Sequence, residues 1–540
     1  MSTAETPSVA GPAPVTAEAV GEDAYAWRRV HPITPLLRGW KALVAVLAIF
    51  AAQAGDNVRN LAHMLGGRTW LALVGVLVLV TVVSLVYSAF AWRAMRFAVT
   101  DEAVHLRQGI VFRQQRQARL DRLQAVDVVQ PLLARLVGLS ELRLEVAGGH
   151  GSAVSLSFLR EDEADALRAE LLALAAGLRR PSAPPAVPMQ LGSPDVVDRR
   201  PGGPVPAPAL TDRDGAVTAS TLPASPGRPA VPPGRAAAPA PAFAAAPEQQ
   251  VYELPMPRLL GSIVLSGGTV WLVLGIVAIT VVTVASDSID AAFGVLPALI
   301  VAVSWVWSRL NGAATFRAAI SPDGIRLRHG LTETRTQTVL PGRVQAVRLH
   351  QPLLWRSRDW WRVQINVAGY GTESKERENE AVLHPVATRQ EAMTALWLVL
   401  PDLGVADPQA VLDAAFTGTG DDGGFTPSPR AARWVDPIGW RRRGVLVTAR
   451  ALLVRSGRWW RSVDVVPHER TQSLAVRQGP VQRALGVATF VVHSTPGPVS
   501  PRAEHLTEQA AAALLDEQAA RARHARRTAG PEQWMRRGTS

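Results

Sequence analysis

Apolar and polar residues alternate along several short stretches of this chain. Val104 and Leu106, then Ile110 and Phe112, sit two apart, and Leu142, Leu144 and Val146 repeat the pattern. A period of two predicts strands with one wet face. From Glu161 to Leu178 the spacing changes. Leu167, Leu171, Leu174 and Leu178 recur at helical intervals and predict an amphipathic helix. The pattern describes a unit of several strands closed by a helix.

The chain contains this unit three times. Stretches beginning at Val99, Ile320 and Val447 register without a gap. Gly109, Gly330 and Gly457 are separated by 221 and then 127 residues. The same two offsets connect Arg107, Arg328 and Arg455; Arg122, Arg343 and Arg470; Gln124, Gln345 and Gln472; and Gln130, Gln351 and Gln478. Identities at fixed offsets mark a domain-sized repeat.

Two longer apolar stretches precede the first two repeats. Residues 36–92 include an uncharged run from Trp70 to Trp92 with aromatics at both ends, and residues 255–309 hold two apolar runs around Ser286 to Asp290. A span needs roughly 20 apolar residues, so each stretch reads as a transmembrane hairpin. Gly267 and Gly268 would allow close helix packing. The three repeats then occupy residues 93–178, 313–400 and 433–527. Residues 1–25 read as a disordered tail, 179–250 as a disordered Pro/Ala-rich linker, 401–432 as a looser connector and 528–540 as a basic tail. Thr388 with Glu391 predicts a capping box for the second closing helix, and Ser500-Pro501 predicts the start of the third.

Charge orients the hairpins. Arg28, Arg29, Arg38 and Lys41 precede the first, Arg93 and Arg96 follow it, and Arg309 and Arg317 follow the second. Positive charge stays inside, so both termini and all three repeats are expected in the cytoplasm of a cell-membrane protein. The net charge is +12, carried almost wholly by arginine. One reading of such an excess is the coding bias of a GC-rich genome; the functional reading is an attraction to anionic lipid or nucleic acid. The chain has no cysteine, which excludes disulfides and thiol chemistry.

The stretch Trp27-Arg-Arg-Val-His-Pro-Ile-Thr-Pro-Leu-Leu-Arg38, the recurring Arg-x-Gln with Gln130-Pro131, and Val466 to Pro480 resemble the bacterial pleckstrin-homology (PH) membrane proteins of the YdbT type. The resemblance implies a fold of membrane helical hairpins plus α+β domains: three PH-like β-barrels, each capped by a C-terminal helix. It implies no particular activity. Asp359 stands where the other repeats have Gly138 and Gly486, a departure from the pattern.

Arg122 with Gln124, Arg343 with Gln345, and Arg470 with Gln472 are the candidate ligand- or partner-binding residues. On a strand, residues two apart share a face, so each pair could meet one phosphate, carboxylate or carbonyl. The competing reading is a structural tie to the next turn. Trp27, Trp40, Trp92, Trp459, Trp460 and Trp534 are candidate membrane-interface residues. No motif for a nucleophile, phosphate loop or metal centre is present, so no enzyme activity, cofactor or metal is expected. The expected function is a membrane-anchored scaffold of the cell envelope that binds anionic headgroups, other membrane or cytoplasmic proteins, or further copies of itself, and not nucleic acid. The alternative is a transporter or channel subunit with regulatory PH-like domains.

Overall fold

A computed structural model describes residues 27–34, 92–109, 114–146, 154–175, 248–286, 289–321, 324–368 and 381–528, with isolated positions between 75 and 90. Each repeat has four strands, then three more, then a helix. The first runs through β1 (Arg28–Arg29), β2 (Arg96–Val99), β3 (Ala103–Gln108), β4 (Gln114–Arg119), β5 (Leu123–Gln130), β6 (Leu139–Val146), β7 (Val154–Arg160) and the helix Glu161–Ala175. The second runs through β8 (Gln249–Glu253), β9 (Arg317–Ser321), β10 (Gly324–His329), β11 (Thr334–Val339), β12 (Val344–Gln351), β13 (Trp360–Val367), β14 (Val382–Thr388) and the helix Arg389–Val399. The third runs through β15 (Thr426–Pro427), β16 (Gly444–Val447), β17 (Ala451–Ser456), β18 (Arg461–Pro467), β19 (Ser473–Arg477), β20 (Val487–His493), β21 (Arg502–Thr507) and the helix Glu508–Thr528.

The repeat offsets persist as geometry. Val126 faces Leu144, Val347 faces Ile365 and Leu474 faces Val492, at equivalent places of the three repeats. The turn after the third strand requires glycine. Gly330 and Gly457 have φ of 113° and 73°, and a Cβ there would lie 1.8 and 1.9 Å from the carbonyl oxygens of Glu333 and Trp460.

The seven strands of a repeat do not close on themselves as the expected barrel. The sheets run across repeat boundaries instead. β1-β2-β3-β4 forms one sheet; β7-β6-β5 continues into β11-β10-β9-β8; β14-β13-β12 continues into β18-β17-β16-β15; and β19-β20-β21 stands alone. The last three strands of one repeat are thus hydrogen-bonded to the first four of the next. The register is identical at both seams: Gln130 lies opposite Thr334, and the equivalent Gln351 lies opposite Arg461.

Each closing helix covers the inner faces of its own strands. Leu167, Leu171 and Leu172 bury against Val126, Leu142 and Leu144; each leucine removed from water contributes about 2 kcal/mol. In the second repeat the capping box forms, with Thr388 Oγ1 accepting from the Glu391 amide and Glu391 accepting from the Thr388 amide. In the third repeat Ser500-Pro501 does not start the helix. Arg502–Thr507 forms the seventh strand, with Ala503 and Leu506 turned into the core, and the helix begins at Glu508. The connector 401–432 is ordered. Its helix Pro408–Thr417, capped by Asp407, buries Leu412, Ala415 and Phe416. Gln249 and Gln250, placed in the linker by composition, belong to β8.

The apolar stretches are insertions between the first and second strands of a repeat. β8 and β9 pair with each other, and the helices Met256–Val264, Gly267–Ser286 and Ile289–Ala313 loop out between them. Gly267–Ala285, 19 residues, has a mean hydropathy of 2.3, with no buried side chain among its described residues, and is long and apolar enough to cross a membrane. It packs on the next helix closely at Gly268, where a Cβ would meet the Trp305 ring at 2.5 Å; Gly267 has no such neighbour. The short helix Met256–Val264 fastens the insertion to the repeat: Leu259 and Ile263 join the core, Trp355 Nε1 donates to Ser262 O at 3.0 Å, and Arg258 pairs with Glu391. Most of 36–92 lies outside the described residues. Val78, Leu79, Val82, Val83, Val86 and Phe90 are helical and 50–62% exposed. Trp92 Nε1 donates to Val30 O at 2.9 Å, so this insertion also returns to its own first strand.

Candidate binding surface of the third repeat

The structure places Arg122, Arg343 and Arg470 at equivalent points, each the last residue of a one-turn 3-10 helix before the fifth strand. The shared strand face assumed for Arg-x-Gln is absent, because the arginine belongs to the turn and only the glutamine to the strand or its threshold. Gln345 Nε2 donates to the Arg343 carbonyl at 3.4 Å. The Gln472 amide donates to His493 O at 3.1 Å while its side chain is exposed. Gln124 lies in β5.

The tryptophans divide by environment. Trp459 and Trp460 occupy the β17–β18 turn, 45% and 59% exposed, with ring centroids 6.1 Å apart. By contrast, Trp361 is fully buried and Trp360 is edge-on to Trp355. The Arg107 guanidinium lies 4.6 Å above the Trp27 ring. Trp40 and Trp534 lie outside the described residues.

Sequence reading missed two features. The first is an arginine clamp that holds residues 414–442 against β17. Arg455 is fully buried and donates to the carbonyls of Arg442, Ala414, Asp422 and Gly420. Arg442 donates to Ala415 O at 2.8 Å and Gly418 O at 3.1 Å. Burial, then the charges of Arg461, Arg455 and Arg356, push the Arg442 guanidinium down to about 9. Its repeat-matched spacing was visible in Arg107, Arg328 and Arg455; its carbonyl partners were not.

The second is a groove of about 570 Å³ on the outer face of β19-β20-β21. Arg477, His493, Arg502 and His505 line it. Gln482 Nε2 reaches Thr489 Oγ1 at 2.9 Å and His505 Nδ1 at 3.0 Å. Glu504, its one carboxylate, is held by Arg443. Burial and Arg443 hold the His505 imidazole below its usual value, and Arg477 and Arg502 bring positive charge to the wall. A wall of this kind accepts an anionic or carbonyl group. His493 occupies the place of Asn366 in the second repeat, and there the surface is covered. Asn366 Nδ2 donates to Val499 O, Ser494 Oγ and Thr495 O at 2.7–3.2 Å, and its Oδ1 accepts from the Val499 amide. The third repeat's own β20–β21 loop supplies that cover to its neighbour.

Among the described residues no cluster of His, Asp and Glu could hold a metal ion. No curated protein and no solved structure matches the chain. The bacterial PH domain family matches at residues 44–175, 262–396 and 425–524, one match for each repeat and well over half the chain in all. The chain belongs to the bacterial PH domain family.

Proposed function

We propose that the chain is a membrane-anchored, non-enzymatic scaffold whose three PH-like repeats lie together at the cytoplasmic face and bind protein partners or anionic headgroups. The observation that carries this is the insertion of an exposed apolar helix between two paired strands. Both ends of the hairpin return to one sheet, so its repeat lies on one side of a bilayer. An apolar surface of this extent left in water would aggregate. The flanking Arg309 and Arg317, with the acidic Asp287 and Asp290 between the two apolar runs of the sequence, favour a cytoplasmic body. Trp459 and Trp460, beside Arg458 and Arg461, suit a headgroup surface. Alkaline carbonate washing of membranes tests the anchor, and protease added to intact cells tests the side. The reading predicts a chain that stays in the pellet with all three repeats protected. Release into the wash, or loss of a repeat to outside protease, would overturn it.

A further inference from the structure

Among the described residues two seam strands lack the partner that their counterparts have, and they are the two halves of one seam. At the first seam β5 pairs with β11, and at the second β12 pairs with β18, in the same register. The next strand in the first series is β19, at the open edge of its three-stranded sheet. The missing strand in the other series is β4, at the open edge of the first sheet. Burial follows pairing. Val128 and Leu349, in the paired strands, are 5% and 0% exposed, whereas Val476 at the equivalent place in β19 is 40% exposed. Thr338 and Val465 are fully buried, whereas Gln117 at the equivalent place in β4 is exposed.

We propose that β19 of one chain pairs antiparallel with β4 of a second copy, so that copies join head to tail by the seam that already joins the repeats within each chain. Carrying the common register across places Ala475 opposite Arg116, Leu474 opposite Gln117, Val476 opposite Gln115 and Arg477 opposite Gln114. No like charges face each other in this pairing, although arginines on an exposed edge ordinarily discourage strand addition. Main-chain hydrogen bonds supply the affinity of such an added strand, and the side-chain register supplies its selectivity. The groove, lined by Arg477 of β19, lies beside the same edge. At the second seam the corresponding surface, at Asn366, is filled by the neighbouring repeat. The contact is heterologous, using different surfaces on the two copies, so it extends to a ring or a row and not to a two-fold dimer. The inference rests on the shared-sheet fold and is independent of the membrane reading.

The absence of cysteine makes the test clean. Full-length chains carrying Ala475→Cys and Arg116→Cys, with different tags, are co-expressed and mildly oxidised in the membrane or in detergent. At the second seam the residues equivalent to this pair are Arg348 and Asp464, whose side chains meet. The expected result is a disulfide-linked dimer containing both tags, absent when either variant is expressed alone. The double variant Ala475→Cys with Arg116→Cys in one chain gives a ladder of multimers. Three results would overturn the proposal: no mixed dimer, dimers from the Ala475→Cys chain alone, or a double variant that cross-links only within itself. A pairing with Arg119→Cys as efficient as with Arg116→Cys would overturn the register. A strand from a different protein on these edges would leave the mixed dimer absent and count against the proposal.

Discussion

Arg348 of the second repeat grips Asp464 of the third. Its Nε and Nη2 donate to the two carboxylate oxygens at 2.7 and 2.8 Å, and its Nη1 donates to Pro498 O at 2.9 Å. Asp464 is almost wholly buried. Removing the guanidinium leaves that carboxylate without its main partner, and Arg348→Ala is expected to destabilise the chain by about 2–4 kcal/mol. Exchanging the two charges restores less than half of the loss, because a carboxylate at 348 cannot donate to the Pro498 carbonyl. Urea unfolding followed by tryptophan fluorescence measures both.

Asn366 and Gly497 form the other lock of this seam. A Cβ at Gly497 would lie 2.3 Å from Asn366 Oδ1. Gly497→Ala therefore has to displace the loop that Asn366 holds by four hydrogen bonds. Both Gly497→Ala and Asn366→Ala are expected to speed proteolysis in residues 494–500, at a cost of about 2 kcal/mol each. Adding the two substitutions costs little more than either alone, since both remove one contact.

Asp359 adopts the left-handed conformation, φ 49° and ψ 42°, where its counterparts Gly138 and Gly486 have φ of 65° and 64°. Its Oδ1 accepts from Gln351 Nε2 at 3.0 Å and Trp361 Nε1 at 2.9 Å, which holds the turn. Asp359→Ala loses both bonds and keeps the backbone strain, at about 2–3 kcal/mol. Asp359→Gly loses the bonds and relieves the strain, so it falls between the wild type and Asp359→Ala. Thermal unfolding ranks the three.

Acid weakens the second repeat. Burial, followed by the charge of Arg335, pushes His329 down from 6.5 to about 4. Burial with Arg348 and Arg362 does the same to His350, whose Nδ1 lies 3.2 Å from Ser462 Oγ across the seam. Burial lowers His384 to about 4 against the opposing charge of Glu391. The unfolded chain takes up protons below 6.5, and the folded chain resists them until about 4. Stability is full above 6.5 and declines as pH falls through that interval. Denaturant midpoints between about pH 7 and 5 measure the slope. His329→Gln flattens it, and a level profile in the wild type would contradict the assignment.

The repeat offsets, the strand alternation and the Thr388–Glu391 cap were legible in the sequence because each depends on local periodicity or on fixed spacing. The partners of the strands were not. β5 has the same alternation whether it pairs inside its own repeat or with β11 more than 200 residues away. β1 has only two residues and shows no period, and β8 begins at the end of a Pro/Ala-rich stretch that reads as linker, so the position of the hairpins inside a repeat was hidden. Arg-x-Gln looked like one strand face because nothing in three residues distinguishes a strand from the 3-10 turn that precedes it. The groove was illegible for a related reason: Arg477, His493 and Arg502 come together only through the pairing of three strands.

One sheet runs from the first repeat into the second through β5 and β11. A protease site placed between residues 180 and 242 cuts the only covalent link between those repeats. After cleavage in detergent, the two fragments are predicted to stay together as a one-to-one complex, held by the strand pairing from Ala125–Val339 to Gln130–Thr334. Fragments that separate on size-exclusion chromatography would contradict the continuous sheet.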